Sequence, residues 1–366
     1  MGTTQSVAME VCAVDLFCGV GGLTHGLVKA GIRVAAGIDI DPDSRYAYEA
    51  NNAARFIERD ITKVTKEEVE ALYPEGALRI LAGCAPCQPF STLQQGKDTT
   101  KDAKWGLLGE FGRIAKTLKP DYLTMENVPQ LRKHSVFTNF IKNLRALEYD
   151  VVWDVLYCPD YGIPQERSRL VLLASRRGPI AMPAITHAPA SYRTVEEAIA
   201  KLPPIKAGEQ HPKDPIHKAA GLTPINMRRI RASKPGGTWR DWAPELVLPC
   251  HKKSSGKSWP GVYGRMTWKS PSPTITTEFY NLGSGRFGHP AQNRALSLRE
   301  GALLQTFPRN YKFVEDPENL SLTSVATLIG NAVPVRLGEV IGKTIMAHVR
   351  GEEPARSGQQ RLSNPA

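Results

Sequence analysis

The sequence predicts an α/β fold: a mostly parallel sheet covered by helices on both faces, with a smaller, irregular, basic domain after it. Three observations carry this. From residue 11 to about 175, short apolar runs alternate with amphipathic stretches of helical period, the pattern of strands buried on both faces between helices. Near Gly178 the alternation stops, and residues 178–290 are rich in Pro, Gly, Lys and Arg with little periodicity. Regular structure returns at Ser297-x-x-Glu300, a third capping box after the two below.

Taken in order, strands are expected at Val11–Phe17, Val34–Asp39, Leu78–Ala82, Asp121–Glu126, Val151–Tyr157 and Arg169–Ala174. Thr65-x-x-Glu68 and Thr194-x-x-Glu197 are capping boxes that open short helices. A last helix is expected from Pro334, its first-turn proline, to about Val349. The expected divisions are a polar tail over 1–10, a first domain over 11–185, a small domain over 186–308, a return to the first domain over 309–349, and a disordered tail over 350–366.

The 366 residues are 41% apolar, enough for a buried core and about two domains. No apolar run approaches the roughly 20 residues that cross a bilayer, and no basic stretch leads into an apolar signal region. A soluble, cytoplasmic protein is expected. The six cysteines are scattered rather than framed for disulfides, which fits a reducing compartment. The net charge is +11 and the isoelectric point about 9.3. Residues 201–270 hold 14 Lys/Arg against 4 Asp/Glu, and four of the six tryptophans. Concentrated basicity of this kind implies a polyanionic partner.

At the amino end, Val11–Phe17 runs into Cys18-Gly19-Val20-Gly21-Gly22 and then a helix. Glycine lets the backbone approach a ligand, and the helix N-terminus favours an anionic group. Asp39, at the end of the second strand, can accept from ribose hydroxyls, and Asp60 follows a third strand. This describes an adenosine cofactor without separating the dinucleotides from S-adenosylmethionine; the bland alternative is a tight turn.

Gly83-Cys84-Ala85-Pro86-Cys87-Gln88-Pro89 follows a strand. As half a zinc site it lacks a second pair at ligand spacing. As a redox pair it lacks the helix that such motifs begin, since Pro89 breaks one. The remaining reading makes Cys87 a nucleophile in a proline-braced loop at a strand's carboxyl end, with Glu126 closing the next strand as a candidate acid. Gln165, Arg167 and Arg169 alternate and would share one face of a strand that begins early. Cys250-His251 is too little for a metal site, so no metal is expected.

With these residues in place, the chain resembles the DNA cytosine-5 methyltransferases, of bacterial or phage type, over about 11–348. The matching segments are Asp15-Leu16-Phe17-Cys18-Gly19-Val20-Gly21-Gly22, Asp39, Asp60-Ile61, Pro86-Cys87-Gln88-Pro89-Phe90-Ser91, Glu126-Asn127-Val128, Gln165-x-Arg167-x-Arg169, Arg299-Glu300 with Leu304-Gln305-x-Phe307-Pro308, and Gly330-Asn331-Ala332-Val333-Pro334, all in the family's order. The resemblance implies a class I S-adenosylmethionine methyltransferase fold, Rossmann-like, with a catalytic and cofactor-binding domain and a target-recognition domain. It implies S-adenosylmethionine at Phe17, Gly19, Gly21, Gly22, Asp39, Ile40, Asp60, Ile61, Pro86 and Asn331. Cys87 falls on the nucleophile, and Glu126, Arg167 and Arg169 on positions that hold the target cytosine.

The loop at about 91–105 corresponds to a segment that closes over DNA, with Ser91, Gln95 and Lys97 as expected contacts; Arg228, Arg229, Arg231, Lys252 and Lys253 are expected on the basic domain. Cys18 and Cys84 depart from the family's usual small residues and are expected to pack as small hydrophobes. Trp239, Trp242 and Trp268 are expected in the small domain's core.

The chemistry explains the residues. Thiolate addition to carbon 6 of cytosine makes carbon 5 nucleophilic enough to take a methyl group. A glutamic acid donating to ring nitrogen 3 assists and selects cytosine. The base must leave the duplex stack, at a cost of a few kcal/mol. The expected partners are duplex DNA and, acting separately, a cognate restriction endonuclease; the enzyme is expected to be a monomer associated with the nucleoid through DNA. A tRNA cytosine-5 methyltransferase is the alternative, since relatives of this fold act on tRNA; about 100 residues of basic recognition region favour DNA.

Overall fold

The computed structural model describes residues 10–86, 106–254, 256 and 259–352. Among them the chain forms two compact units. The first takes the chain up to Leu156, Ser168–Ile185 and the chain from Leu337; the second takes Tyr157–Arg167 and Thr186–Arg336.

The first unit is built on strands β1 (Val11–Leu16), β2 (Arg33–Asp39), β3 (Arg55–Glu58), β4 (Leu78–Gly83), β5 (Tyr122–Asn127), β6 (Asp150–Tyr157) and β8 (Ser168–Ser175); β7 (Gln165–Glu166) belongs to the second unit. The sheet order is β3-β2-β1-β4-β5-β8-β6. Pairings from β3 through β5 are parallel, and β8 runs antiparallel to β5. The order reverses between β1 and β4, so their carboxyl ends flank the crevice where such sheets take ligands.

The strands follow from sequence because β1 is buried along its whole length, as a central parallel strand must be. One sheet face packs Val14, Leu16, Leu81, Leu123 and Met125 against helices α4 (Leu107–Leu118) and α5 (Ser135–Ala146) in one core. On the other face, α11 (Val335–Val349) crosses α1 (Gly22–Lys29). At Gly338 a β-carbon would stand 2.9 Å from the Leu23 carbonyl oxygen, so only glycine admits this approach. Helix α2 (Arg45–Glu49) and helix α3 (Lys66–Glu70), the latter opened by the Thr65–Glu68 capping box, complete the connections.

The expected continuous strand through Gln165, Arg167 and Arg169 is interrupted. β7 pairs in parallel with β11 (Ser272–Pro273) in the second unit, Arg167 lies between strands with its carbonyl accepting from the Cys158 amide, and β8 begins at Ser168. The three polar residues are therefore divided: Gln165 and Arg167 find their partners in the second unit and Arg169 in the first.

The second unit has little regular structure: a small β9–β10 hairpin (Gln210–His211, Asp214–Lys218) and helices α6 (Val195–Ile199), α7 (Pro224–Ala232), α8 (Pro249–Lys252), α9 (Leu298–Leu304) and α10 (Leu322–Asn331). Among its apolar clusters are Ile230-Leu282-Ala295 and Trp239-Trp242-Leu246. Buried charge supplements them. Arg294, 0% exposed, makes two 2.7 Å bonds to Glu300. The Arg265 guanidinium donates to the carbonyls of Ser233, Ile230, His289 and Gln292.

This unit keeps the chain to Arg336, past the expected return at 309, because Gln305 donates to the carbonyls of Ile329 and Ala332 and ties α9 to α10. The Leu322–Val349 stretch is long and apolar enough for a bilayer, but it is two helices broken at Pro334, and 72% of its most apolar window is buried.

Candidate active site

The carboxyl end of β1 is shaped by backbone conformation. Phe17 adopts a left-handed φ of 59°, with its amide and that of Cys18 both donating to the Ile38 carbonyl at 2.8 and 3.3 Å. Gly19 (φ 48°) and Gly21 (φ 85°) are also left-handed, the region glycine enters without a steric cost. Gly21 is the N-cap of α1 and offers no side chain to it, so first-turn amides remain for a ligand.

Asp39 closes β2. Its Oδ2 accepts from the Gly19 amide at 2.8 Å and its Oδ1 from the Asp41 amide at 2.9 Å. Those bonds fix the carboxylate and leave lone pairs on each oxygen for hydroxyl donors. Burial raises its pKa above the ordinary range despite both amides. Ile40, next along, is 65% exposed, an apolar side chain held in water at the strand's end. Asp60 accepts from the Thr62 amide and hydroxyl, which hold its carboxyl below the usual range. Ile61 is buried behind it, and Gly22 opens α1.

At the ends of β4 and β5 lies the second half of the site. Glu126 is 2% exposed. The Arg169 Nε stands 2.7 Å from its Oε1, and the Cys84 thiol donates to its Oε2 at 2.8 Å. The neighbouring Asn127 donates from Nδ2 to the Ala85 carbonyl at 2.9 Å and accepts from the Val128 amide, which ties the β4 loop down just before half-buried Pro86. Cys87, with Ser91, Gln95 and Lys97, lies outside the described residues.

Cys84 therefore differs from expectation: it does not simply pack, because its thiol meets a carboxylate, whereas Cys18, clustered with Tyr48 and Phe56, behaves as a small hydrophobe. In the second unit, Arg167 donates to the Ile275 carbonyl at 2.9 Å and to that of Gly330 at 3.5 Å, and Asn331 ends α10 exposed.

A family profile described as C-5 cytosine-specific DNA methylase matches residues 11–347. The chain belongs to this family. A Type II methylase of Herpetosiphon aurantiacus, M.HgiDII, is similar to this methylase at 52% identity over 346 residues, covering 94% of this chain and 97% of that one. The Psychrobacter methyltransferase M.PspPI (strain TA137) is 32% identical, covering 91% and 78%. Among solved structures, a prophage-encoded E. coli protein described as a DNA modification methyltransferase superposes with a TM-score of 0.70 at 20% identity, covering 94% of this chain and 100% of that one. The sheet of this methylase is that of the class I S-adenosylmethionine methyltransferases, and its activity is DNA cytosine-5 methylation.

In the methylase's second unit, Arg228, Arg231, Lys252 and Lys253 are exposed. Arg229 is turned inward: its Nε donates to the Leu246 carbonyl at 2.9 Å, Nη1 to the Asn226 side chain at 2.8 Å, and the guanidinium lies over the Tyr263 ring. Trp239 and Trp242 are core residues, and Trp268 is half-buried edge-on to His289. His251, next to Cys250, stacks on Trp239 at 4.6 Å.

Proposed function

We propose that this methylase methylates carbon 5 of a cytosine rotated out of duplex DNA, with Cys87 as the nucleophile and S-adenosylmethionine as the methyl donor. The observation that carries the reading is the buried Glu126 carboxylate, held between Arg169 and Cys84 at the strand end beside the loop that leads into Cys87. A carboxyl buried in this way is suited to a planar, hydrogen-bonding ring rather than to solvent.

The residues fit the cofactor. The uncapped start of α1 suits its carboxylate, Asp39 its ribose hydroxyls, and exposed Ile40 the face of its base, with Phe17, Gly19, Gly21, Gly22, Asp60, Ile61, Pro86 and Asn331 as the other expected contacts. When bound, S-adenosylmethionine supplies a sulfonium-activated methyl group. Cys87 adds as thiolate to carbon 6, which directs electron density to carbon 5. Glu126 gives a proton toward ring nitrogen 3 and accepts from the exocyclic amine. Arg169, paired with Glu126, holds the base and the charge around it. A base, with water as a candidate, removes the carbon 5 proton, and the thiol leaves.

The second unit then reads the DNA, its exposed cations meeting phosphates and guanine edges. The enzyme acts as a monomer in the bacterial cytoplasm, beside a separately acting restriction endonuclease.

Transfer of labelled methyl to duplex DNA and, in parallel, to total tRNA tests the reading, with Cys87→Ser as the control. Label on DNA cytosine, absent with Cys87→Ser, is the expected result. Turnover by that variant removes Cys87 as nucleophile, and label on tRNA alone transfers the enzyme to the alternative substrate.

A further inference from the structure

We propose that Cys84 is a positioning residue for the Glu126 carboxylate, its thiol and the Arg169 guanidinium holding opposite oxygens so that the carboxyl plane is set before the base arrives. The inference rests on the reading of Glu126 as the group that holds cytosine.

The geometry makes the case. The last torsion of a glutamate joins sp³ to sp² carbon and is broad, so the side chain itself does not select a carboxyl plane. Polar contacts must do so, an ion pair at one oxygen and a hydrogen bond at the other. Here they come from the two strands that flank β5 in the sheet order β4-β5-β8. Gly83 pairs with Met125, which brings Cys84 level with Glu126 from one side. Glu126 pairs with Val171, so Arg169, two residues away, shares its face from the other side. The Arg169 Nε meets Oε1 at 2.7 Å and the Cys84 Sγ meets Oε2 at 2.8 Å. Asn127 holds the Ala85 carbonyl and so fixes the backbone that carries Cys84.

The two donors have different effects. The guanidinium brings charge and favours the carboxylate strongly. The thiol is a weak, neutral donor. It orients the second oxygen without adding a second cation that would oppose loading the proton Glu126 must deliver. Each carboxyl oxygen keeps a further lone pair for the base. Glycine or alanine at this position supplies no donor, whereas serine does.

The test measures single-turnover methylation against pH for the full-length enzyme and for Cys84→Ala, Cys84→Gly and Cys84→Ser, alongside Glu126→Gln. Removing a hydrogen bond from the charged form raises a carboxyl pKa. In Cys84→Ala and Cys84→Gly, the limb on which activity falls with rising pH should therefore move to higher pH. Turnover should drop about tenfold while cofactor and DNA binding hold, and Cys84→Ser should recover both rate and profile. A wild-type rate and profile in Cys84→Ala and Cys84→Gly overturns the proposal. So does a loss that is equal at every pH and unrelieved by Cys84→Ser, the signature of packing alone. Glu126→Gln separates the two levels: full turnover there removes the base-holding reading itself, whereas an inactive Glu126→Gln beside an unaffected Cys84→Ala removes only the role of Cys84.

Discussion

Asp15 shows what burial does to a single group. It lies within β1 among apolar neighbours, 1% exposed, with Oδ2 accepting from the Thr24 hydroxyl at 2.7 Å. Burial pushes its pKa to about 7, with nearby Asp39 adding to the rise and Thr24 opposing it. The unfolded chain loses this proton near 3.8, the folded chain only near 7. Stability is therefore intact below 3.8 and falls as pH rises toward 7. Asp15→Asn keeps an acceptor for Thr24 and removes the buried charge. It should stabilise the protein at pH 8 by about 2–4 kcal/mol in urea unfolding, with a smaller gain at pH 5. An equal difference at both values would assign the effect to packing instead.

At the scale of elements, α7 and α8 show why a basic segment is not uniformly a binding surface. Arg228 and Arg231 of α7 and Lys252 of α8, with adjacent Lys253, face solvent, while Arg229 on the same helix directs its donors to Leu246 and Asn226. Replacing the four exposed cations with glutamine should lower the salt slope of DNA binding by about 0.9 for each phosphate they would otherwise neutralise. Arg229→Gln should instead lower the thermal stability of the second unit and leave the slope unchanged. Filter-binding titrations across salt concentrations check both outcomes, and a slope unmoved by the fourfold variant would place the DNA elsewhere.

For the whole molecule, the two units carry opposite pH liabilities. In the second unit His289 is buried, and burial together with Arg294 and Arg265 outweighs Glu300 to hold its pKa near 4. The imidazole Nδ1 accepts from the amides of Ala291 and Gln292, so protonation there loses both bonds. The unfolded chain takes the proton near 6.5, so stability is intact above that and is lost as pH falls toward 4. The loss should reach about 3 kcal/mol. Hydrogen exchange followed between pH 7 and pH 4.5 should show amides of the second unit losing protection first. Earlier loss in the β1–β5 sheet would contradict this.

How much was legible beforehand divides along a physical line. The β1 turn, the three capping boxes and the strand that carries Glu126 depend on residues within a few positions of one another, and sequence carries such short-range rules directly. The ordered run of motifs from Asp15 to Pro334 placed the chain in its family for the same reason: each motif is contiguous. What spacing does not contain is a partner chosen by the fold. Cys84 and Glu126 are 42 residues apart and meet because β4 and β5 are neighbours. Arg229 and Arg265 look like any other cation of the basic segment until the unit closes around them, and the break at Arg167 depends on what β7 finds to pair with. The sequence by itself determined the elements, the family and the chemical groups that the reaction needs. Only the tertiary structure decided which of those groups are spent on one another, because hydrogen bonds and burial act between residues that the chain alone does not bring together.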